Sequence, residues 1–395
     1  MKRVHVAAAV IRDGSGKILI ARRADTQHQG GLWEFPGGKV EADESVQTAL
    51  ARELHEELGI VVGAARPLIK VRHDYPDKQV LLDVWEVSSF TGEPHGAEGQ
   101  PLAWVSARAL TDYEFPAANQ PIVAAARLPA EYLITPEDLE TPALLRGIQK
   151  AIAGGIKLIQ LRAPNGYDPK YRDLAVDAVG LCAGKAQLMI KGPFEWLGDF
   201  PAAGWHITSA QLRKYAAAGR PLPAERWLAA SCHNAEELAL AEQMGVDFVT
   251  LSPVQPTLTH PDTQPLGWEQ ASTLIEGFSK PVFLLGGVGP AEREKAWNAG
   301  AQGVAGIRAF WPEALFFIEA DVPSRASPLP RLIALPQEEL DQLWERACSG
   351  RRSDEGVLIG ATPLKVSPPV ATESRRYPGA GRSAWPPQTT DPTSD

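Results

Sequence analysis

Cysteine is scarce in this sequence. Three thiols, Cys182, Cys232 and Cys348, lie far apart in 395 residues with no CxxC spacing, which excludes a disulfide-stapled secreted scaffold and fits reduced thiols in a cytoplasmic protein. The eight histidines show no HExxH-like spacing, so no zinc centre is expected. No basic block offsets the net charge of −9, which argues against a DNA or RNA polymer as the main partner. A single nucleotide stays open, because a metal ion can neutralise its phosphates. No apolar run is long enough to span a membrane. Lys2-Arg3 ahead of Val4 to Ile11 has the outline of a signal peptide, but the run is short, contains His5 and breaks at Asp13-Gly14-Ser15-Gly16 before a second strand-like run, Lys17 to Ala21. A β-hairpin is the better reading.

What is present is ordinary for a soluble globular protein, with 44% apolar and 22% charged residues. The length argues for two or more domains, each with its own core. One stretch dominates: Gly37 to Ile60, GGKVEADESVQTALARELHEELGI. Ala49, Leu50, Leu54 and Leu58 form an apolar set at helical spacing. Glu53, Glu56 and Glu57 stand at i, i+3 and i+4, so three carboxylates share one face. Bare, that face repels itself; with Mg²⁺ or Mn²⁺, which take oxygen ligands and bridge phosphates, it becomes a binding site. Arg52 can orient a carboxylate with its planar fork, Gly37-Gly38 allows close backbone approach, and Gly59 is expected to stop the helix. The competing reading is a solvated acidic face held by salt bridges.

The spacing of Gly38, Glu44, Arg52-Glu53-Leu54, Glu56-Glu57 and Gly59-Ile60 resembles the Nudix box at every fixed position. Arg22-Arg23, Leu32 to Lys39, Tyr75-Pro76-Asp77, Gly92-Glu93-Pro94, Gly96 to Gln100 and Phe115 to Asn119 narrow the resemblance to the MutT-type 8-oxo-dGTP diphosphatases. It implies an α/β/α sandwich over residues 1–128 and metal ligation by Glu53, Glu56, Glu57 and Glu98, assisted by a carbonyl near Gly37 or Gly38. The implied reaction is attack of water on the β-phosphorus of a nucleoside triphosphate, giving monophosphate and pyrophosphate. Glu53 and Glu98 are both candidates for taking the proton from water, and the sequence does not choose between them. The implied phosphate contacts are Lys39 and Arg23. Asn119 is the implied reader of the purine, since an amide both donates and accepts at the O6/N7 edge; as a helix N-cap before Pro121 it has an equal claim from local sequence. Phe35 and Tyr75 are candidates for lining the base pocket, or for core.

Beyond a linker at Leu128 to Glu131, short apolar runs at Tyr132 to Thr135, Ile156 to Leu161, Gln187 to Ile190, Trp205 to Ile207, Trp227 to Ala230, Asp247 to Leu251, Pro281 to Leu285 and Gly303 to Ile307 alternate with helical stretches. This pattern predicts a (β/α)₈ TIM barrel over residues 129–320. The segments Tyr132 to Thr135, Gln160-Leu161-Arg162, Gly204-Trp205-His206, Ser231 to Asn234, Leu251 to Thr257 and Gly286-Gly287-Val288 resemble thiamine phosphate synthase and the TenI-like thiazole tautomerases. Phosphate is expected on backbone amides at Gly286-Gly287 and near Arg308, with Arg162 in the barrel site. The synthase pattern is broken where Ala163-Pro164 replaces a lysine, Lys191-Gly192 replaces an Asn-Asp pair, Thr208 to Ala210 replaces an aspartate and His260 replaces a lysine. Synthase activity is therefore not expected. His233 matches the acid/base histidine of the tautomerases and equally fits a hydrogen-bonded histidine at the barrel mouth. A sensor of a thiamine-related phosphate, a tautomerase and a scaffold all stay open. Residues 321–395, rich in Pro, Ser, Arg and Thr, are expected to be a largely disordered tail, apart from an apolar stripe of Leu340, Leu343, Trp344 and Ala347.

Overall fold

The computed structural model describes residues 2–26, 29–76, 78–162, 169–257 and 264–312. The tail and its stripe lie outside them, as do Asp77, Ala163, Pro164, His260 and Cys348.

The N-terminal elements are β1 (Lys2–Arg12), β2 (Ile18–Arg22), β3 (Trp33–Glu34), β4 (Gly37–Lys39), α1 (Val46–Leu58), β5 (Val61–Val62), β6 (Ala65–Asp74), β7 (Lys78–Val87), β8 (Phe90–Thr91), β9 (Leu102–Val105) and α2 (Gln120–Arg127). β1 and β2 form the expected hairpin, with Ile11 opposite Leu19. Its turn is held by the Asp13 carboxylate, which accepts from the Ser15 and Lys17 amides at 2.8 and 2.9 Å, the local bonding that makes Asp a turn residue. The main sheet runs β3-β2-β1-β7-β6, with β4 on β1 and β9 on β2.

Side-chain alternation along β1 divides the core. Ala7, Ala9 and Ile11 pack with Leu19, Ile60 and the Ala49, Leu50, Leu54 and Leu58 stripe of α1. Ala8 and Val10 face the other way, onto Ile122, Val123, Ala125 and Ala126 of α2. Period-2 strands thus present one face to each helix, giving the α/β/α layers. α1 begins at Ser45, whose side chain accepts from the Thr48 amide at 3.1 Å. It ends at Gly59, at φ +68°, where a Cβ would also collide with His95.

The second half closes eight parallel strands into a barrel: β10 (Glu131–Ile134), β11 (Leu158–Leu161), β12 (Gln187–Ile190), β13 (Gly204–Ile207), β14 (Leu228–Cys232), β15 (Phe248–Leu251), β16 (Val282–Leu284) and β17 (Gly303–Gly306). All eight coincide with the apolar runs of the sequence. The helices between them are α3 (Thr141–Ala153), α4 (Pro169–Cys182), α5 (Ser209–Tyr215), α6 (Ala235–Met244), α7 (Gly267–Glu276) and α8 (Arg293–Asn298). Inside, Tyr132, Met189, Phe248 and Phe283 fill the barrel; outside, Ile159, Leu188, Trp205 and Val249 meet the helices. Gln302, at the foot of β17, donates to the carbonyls of Ala125 and Leu128 at 3.1 Å each, which ties the end of α2 to the barrel. Cys182 and Cys232 are buried free thiols, and burial pushes both up, Cys182 to about 11, so neither is a ready nucleophile. Among the described residues no helix is long and apolar enough to cross a membrane.

Candidate functional site

The acidic face of α1 lies against β4, and glycine makes that approach possible. A Cβ on Gly37, at φ +145°, would strike the Ala7 carbonyl of β1, and one on Gly38 would overlap the Glu53 carboxylate. The two glycines therefore serve internal packing, one against a strand and one against the Glu53 carboxylate. The Gly37 amide donates to Glu57 Oε2 at 3.1 Å.

Arg52 organises the carboxylates. Its Nε and Nη2 each reach Glu44 at 3.0 Å in a two-point grip. Nη1 donates to Glu53 at 3.0 Å and to Glu56 at 3.3 Å, and Nη2 also meets the Lys39 carbonyl at 3.1 Å. The surrounding acids raise its pKa, so the guanidinium is a permanent charge in this web.

Glu98 arrives from another loop. The helix-end carbonyl of Glu57 accepts from the Ala97 amide and from Gln100 Nε2, both at 3.0 Å, and the Gln100 amide oxygen accepts from the Glu98 amide at 2.9 Å. Carbonyls that a helix leaves without an intrahelical partner thus anchor the segment carrying the fourth glutamate. Glu57 feels the result: desolvation, then the charges of Glu34, Glu53 and Glu98, push its carboxyl up to about 7 against the pull of the Gly37 amide. Glu34 was not singled out in the sequence. It is raised chiefly by burial and by Glu98, and is held by an ion pair to Arg23. The only sequence signal for it was its place on the strand entering the Gly-Gly turn.

These donors suit a hard divalent cation. All are carboxylate or carbonyl oxygens, and a carboxyl raised to about 7 by burial and then by its acidic neighbours marks a desolvated place crowded with negative charge that a cation would relieve. Among the described residues no three His, Cys, Asp or Glu side chains already form a metal-holding cluster; Arg52 instead engages Glu53 and Glu56.

The remaining candidates are placed as follows. Lys39 is exposed beside the box. Arg23 is engaged with Glu34. Phe35 is 4% exposed and stacked on Phe115 at 5.3 Å, so it belongs to the core and presents no open face to a base. Tyr75 stacks edge-on to His73 at 4.5 Å. Asn119 closes a 3₁₀ turn in helical conformation and makes no side-chain cap bond to α2; half-buried, its amide is not committed to capping.

In the barrel, His233 Nδ1 meets Glu237 Oε2 at 2.8 Å, and the His233 amide donates to the same oxygen at 2.8 Å. Glu237 is 2% exposed and also paired with Arg213; it escaped the sequence reading because it sits in the first turn of α6, where an acid looks like helix-dipole compensation. Gly286 and Gly287, at φ +96° and +66°, have no room for a Cβ against Pro253 and Gln255, at 2.8 and 2.7 Å, so close loop packing by itself requires glycine there. Arg308 begins a short 3₁₀ turn, and Arg162 pairs with Glu137.

Comparison with known proteins matches residues 7–125 to the NUDIX domain family and residues 131–310 to the thiamine monophosphate synthase family. The chain is 40% identical over 124 residues to an 8-oxo-dGTP diphosphatase of Escherichia coli (strain K12), covering 31% of this chain and 96% of that one. It is likewise 40% identical over 125 residues to a CTP pyrophosphohydrolase of the same organism, covering 32% of this chain and 92% of that one. Over 184 residues it is 29% identical to an Aquifex aeolicus (strain VF5) protein provisionally named thiamine-phosphate synthase 2, covering 46% of this chain and 98% of that one.

Proposed function

This chain belongs to the Nudix hydrolases, with a thiamine-phosphate-synthase-like barrel joined behind the Nudix domain, and from that premise we propose that it hydrolyses 8-oxo-dGTP to 8-oxo-dGMP and pyrophosphate. The observation that carries the reading is the meeting of Glu53, Glu57 and Glu98 near the Gly37-Gly38 strand, where burial and, after it, the other acids raise Glu57 to about 7. Glu53, Glu56, Glu57 and Glu98 would hold Mg²⁺ or Mn²⁺, with a carbonyl near Gly37 or Gly38 assisting. That ion supplies charge to neutralise the phosphate oxygens and acidifies water.

The chain's own residues do the rest. A carboxylate, Glu53 or Glu98, takes a proton as the water oxygen bonds to the β-phosphorus. The bond from that phosphorus to the bridging oxygen of the α-phosphate breaks, and the monophosphate leaves. Arg52, gripped by Glu44, keeps Glu53 in line; Lys39 and Arg23 bind phosphate oxygens, the latter by leaving Glu34. Asn119 accepts from N7–H of the oxidised base, a hydrogen ordinary guanine lacks, so the normal nucleotide leaves a buried acceptor unmet.

Removing 8-oxo-dGTP before a polymerase uses it places the protein in nucleotide-pool sanitation, in the cytoplasm. Hydrolysis in ¹⁸O-water tests the chemistry: label in pyrophosphate supports attack at the β-phosphorus, and label in the monophosphate refutes it. A second reading, another nucleotide as substrate, is favoured by the equal identity to the CTP pyrophosphohydrolase.

A further inference from the structure

Strand geometry brings two cations to the barrel mouth. Leu161 and Ile190 are register partners on β11 and β12, so Arg162 and Lys191 leave neighbouring strands at the same level; the Lys191 amide donates to the Leu161 carbonyl at 3.3 Å. Leu158 and Met189 lie in the interior cluster, whereas Ile159, Leu161, Leu188 and Ile190 lie in the outer one. By strict alternation Arg162 and Lys191 belong to the inward set.

The layer beneath them is neutral. His206 is fully buried, with Tyr132 Oη at 2.9 Å from Nδ1 and Ser231 Oγ at 3.0 Å from Nε2. Burial, reinforced by the Lys191 charge, pushes the imidazole down to about 3, so it stays uncharged. Against the two cations stands Glu137, which pairs with Arg162 and is 44% exposed in its side chain, while Arg162 is 18% exposed. Burial and Arg162 together weaken the hold of Lys191 on its proton, the mark of positive charge in excess at a desolvated place.

We propose that the barrel mouth between the ends of β11 and β12 binds a small oxyanion, a phosphate or a carboxylate, on Arg162 and Lys191 without a divalent metal. Two charge-bearing donors of different geometry, one a planar fork and one a point charge, suit such a group. Lys191 stands where the synthase resemblance leads one to expect an Asn-Asp pair, so a cation built into the chain occupies the place of side chains that would recruit one. The proposal is independent of the Nudix reading.

The test is calorimetric titration of the full chain in EDTA with inorganic phosphate and, separately, malonate. Saturable binding of either is expected, and the better of the two identifies the source chemistry. Lys191→Gln should weaken it at least about tenfold, as expected for loss of one charged contact, whereas Lys191→Arg should stay within about threefold, since it keeps the charge. Unchanged nucleotide hydrolysis by Lys191→Gln, together with retained binding by Lys191→Arg, separates loss of the site from loss of the fold. Absence of binding to wild type by both anions, binding that appears only with Mg²⁺, or equal affinity of wild type and Lys191→Gln would overturn the proposal.

Discussion

The Glu53 carboxylate fills the space that a side chain on Gly38 would need. Gly38→Ala therefore displaces the carboxylate or pushes β4 off β1. We expect kcat to fall by about a hundredfold, the scale of an ångström-size misplacement at a reacting centre, while the isolated variant stays folded by circular dichroism. Wild-type turnover would show that Glu53 is not held by this contact.

Glu44 acts at one remove. It holds Arg52 by two bonds, and Arg52 holds Glu53 and Glu56. Glu44→Gln weakens that grip, so the Mg²⁺ dependence of the rate should shift to higher concentration, with maximal kcat reduced by less than about tenfold. Arg52→Lys should do worse than Glu44→Gln, because an ammonium cannot reproduce the fork. Equal Mg²⁺ titrations for all three proteins would remove Arg52 from the account.

Glu57→Gln and Glu53→Gln should each lower kcat by about a hundredfold or more, since each takes charge from the proposed metal site. Single-turnover measurements at saturating Mg²⁺ decide this; near-normal rates would refute the assignment.

Glu57 also makes a stability prediction for the metal-free protein. Its carboxyl lies near 7 when folded, against an ordinary 4.5. The folded state therefore holds the proton more tightly, a contribution fully present below about 4.5 and lost as pH rises through about 7. In EDTA, Glu57→Gln should match wild type in Tm near pH 4.5 and exceed it above pH 7. A Tm difference that does not change across this range would contradict the burial and charge crowding of Glu57 on which the proposed metal site rests.

Much of this was legible in the sequence because it rests on periodicity. The α1 stripe of Ala49, Leu50, Leu54 and Leu58 and the eight barrel strands follow from apolar spacing, and Gly59 from the demands of a helix end. Gly37–Lys39 was not readable as a strand: two glycines and a lysine carry no alternation, and only pairing with Val6 to Ala8 makes it one. Glu34, Glu237 and the Lys191–Arg162 pair were missed for another reason. Each acquires its meaning from a partner or a neighbouring strand, which no local pattern encodes. Phe35 had two readings in the sequence, and burial against Phe115 places it in the core.

The central claim is specificity for the oxidised purine, and kcat/KM for 8-oxo-dGTP against dGTP and CTP tests it most directly, in wild type and in Asn119→Ala. The account predicts a large preference for 8-oxo-dGTP in wild type, eroded in Asn119→Ala while dGTP hydrolysis persists. Comparable values for the three nucleotides in wild type, or CTP preferred, would contradict it and leave a Nudix hydrolase of another nucleotide.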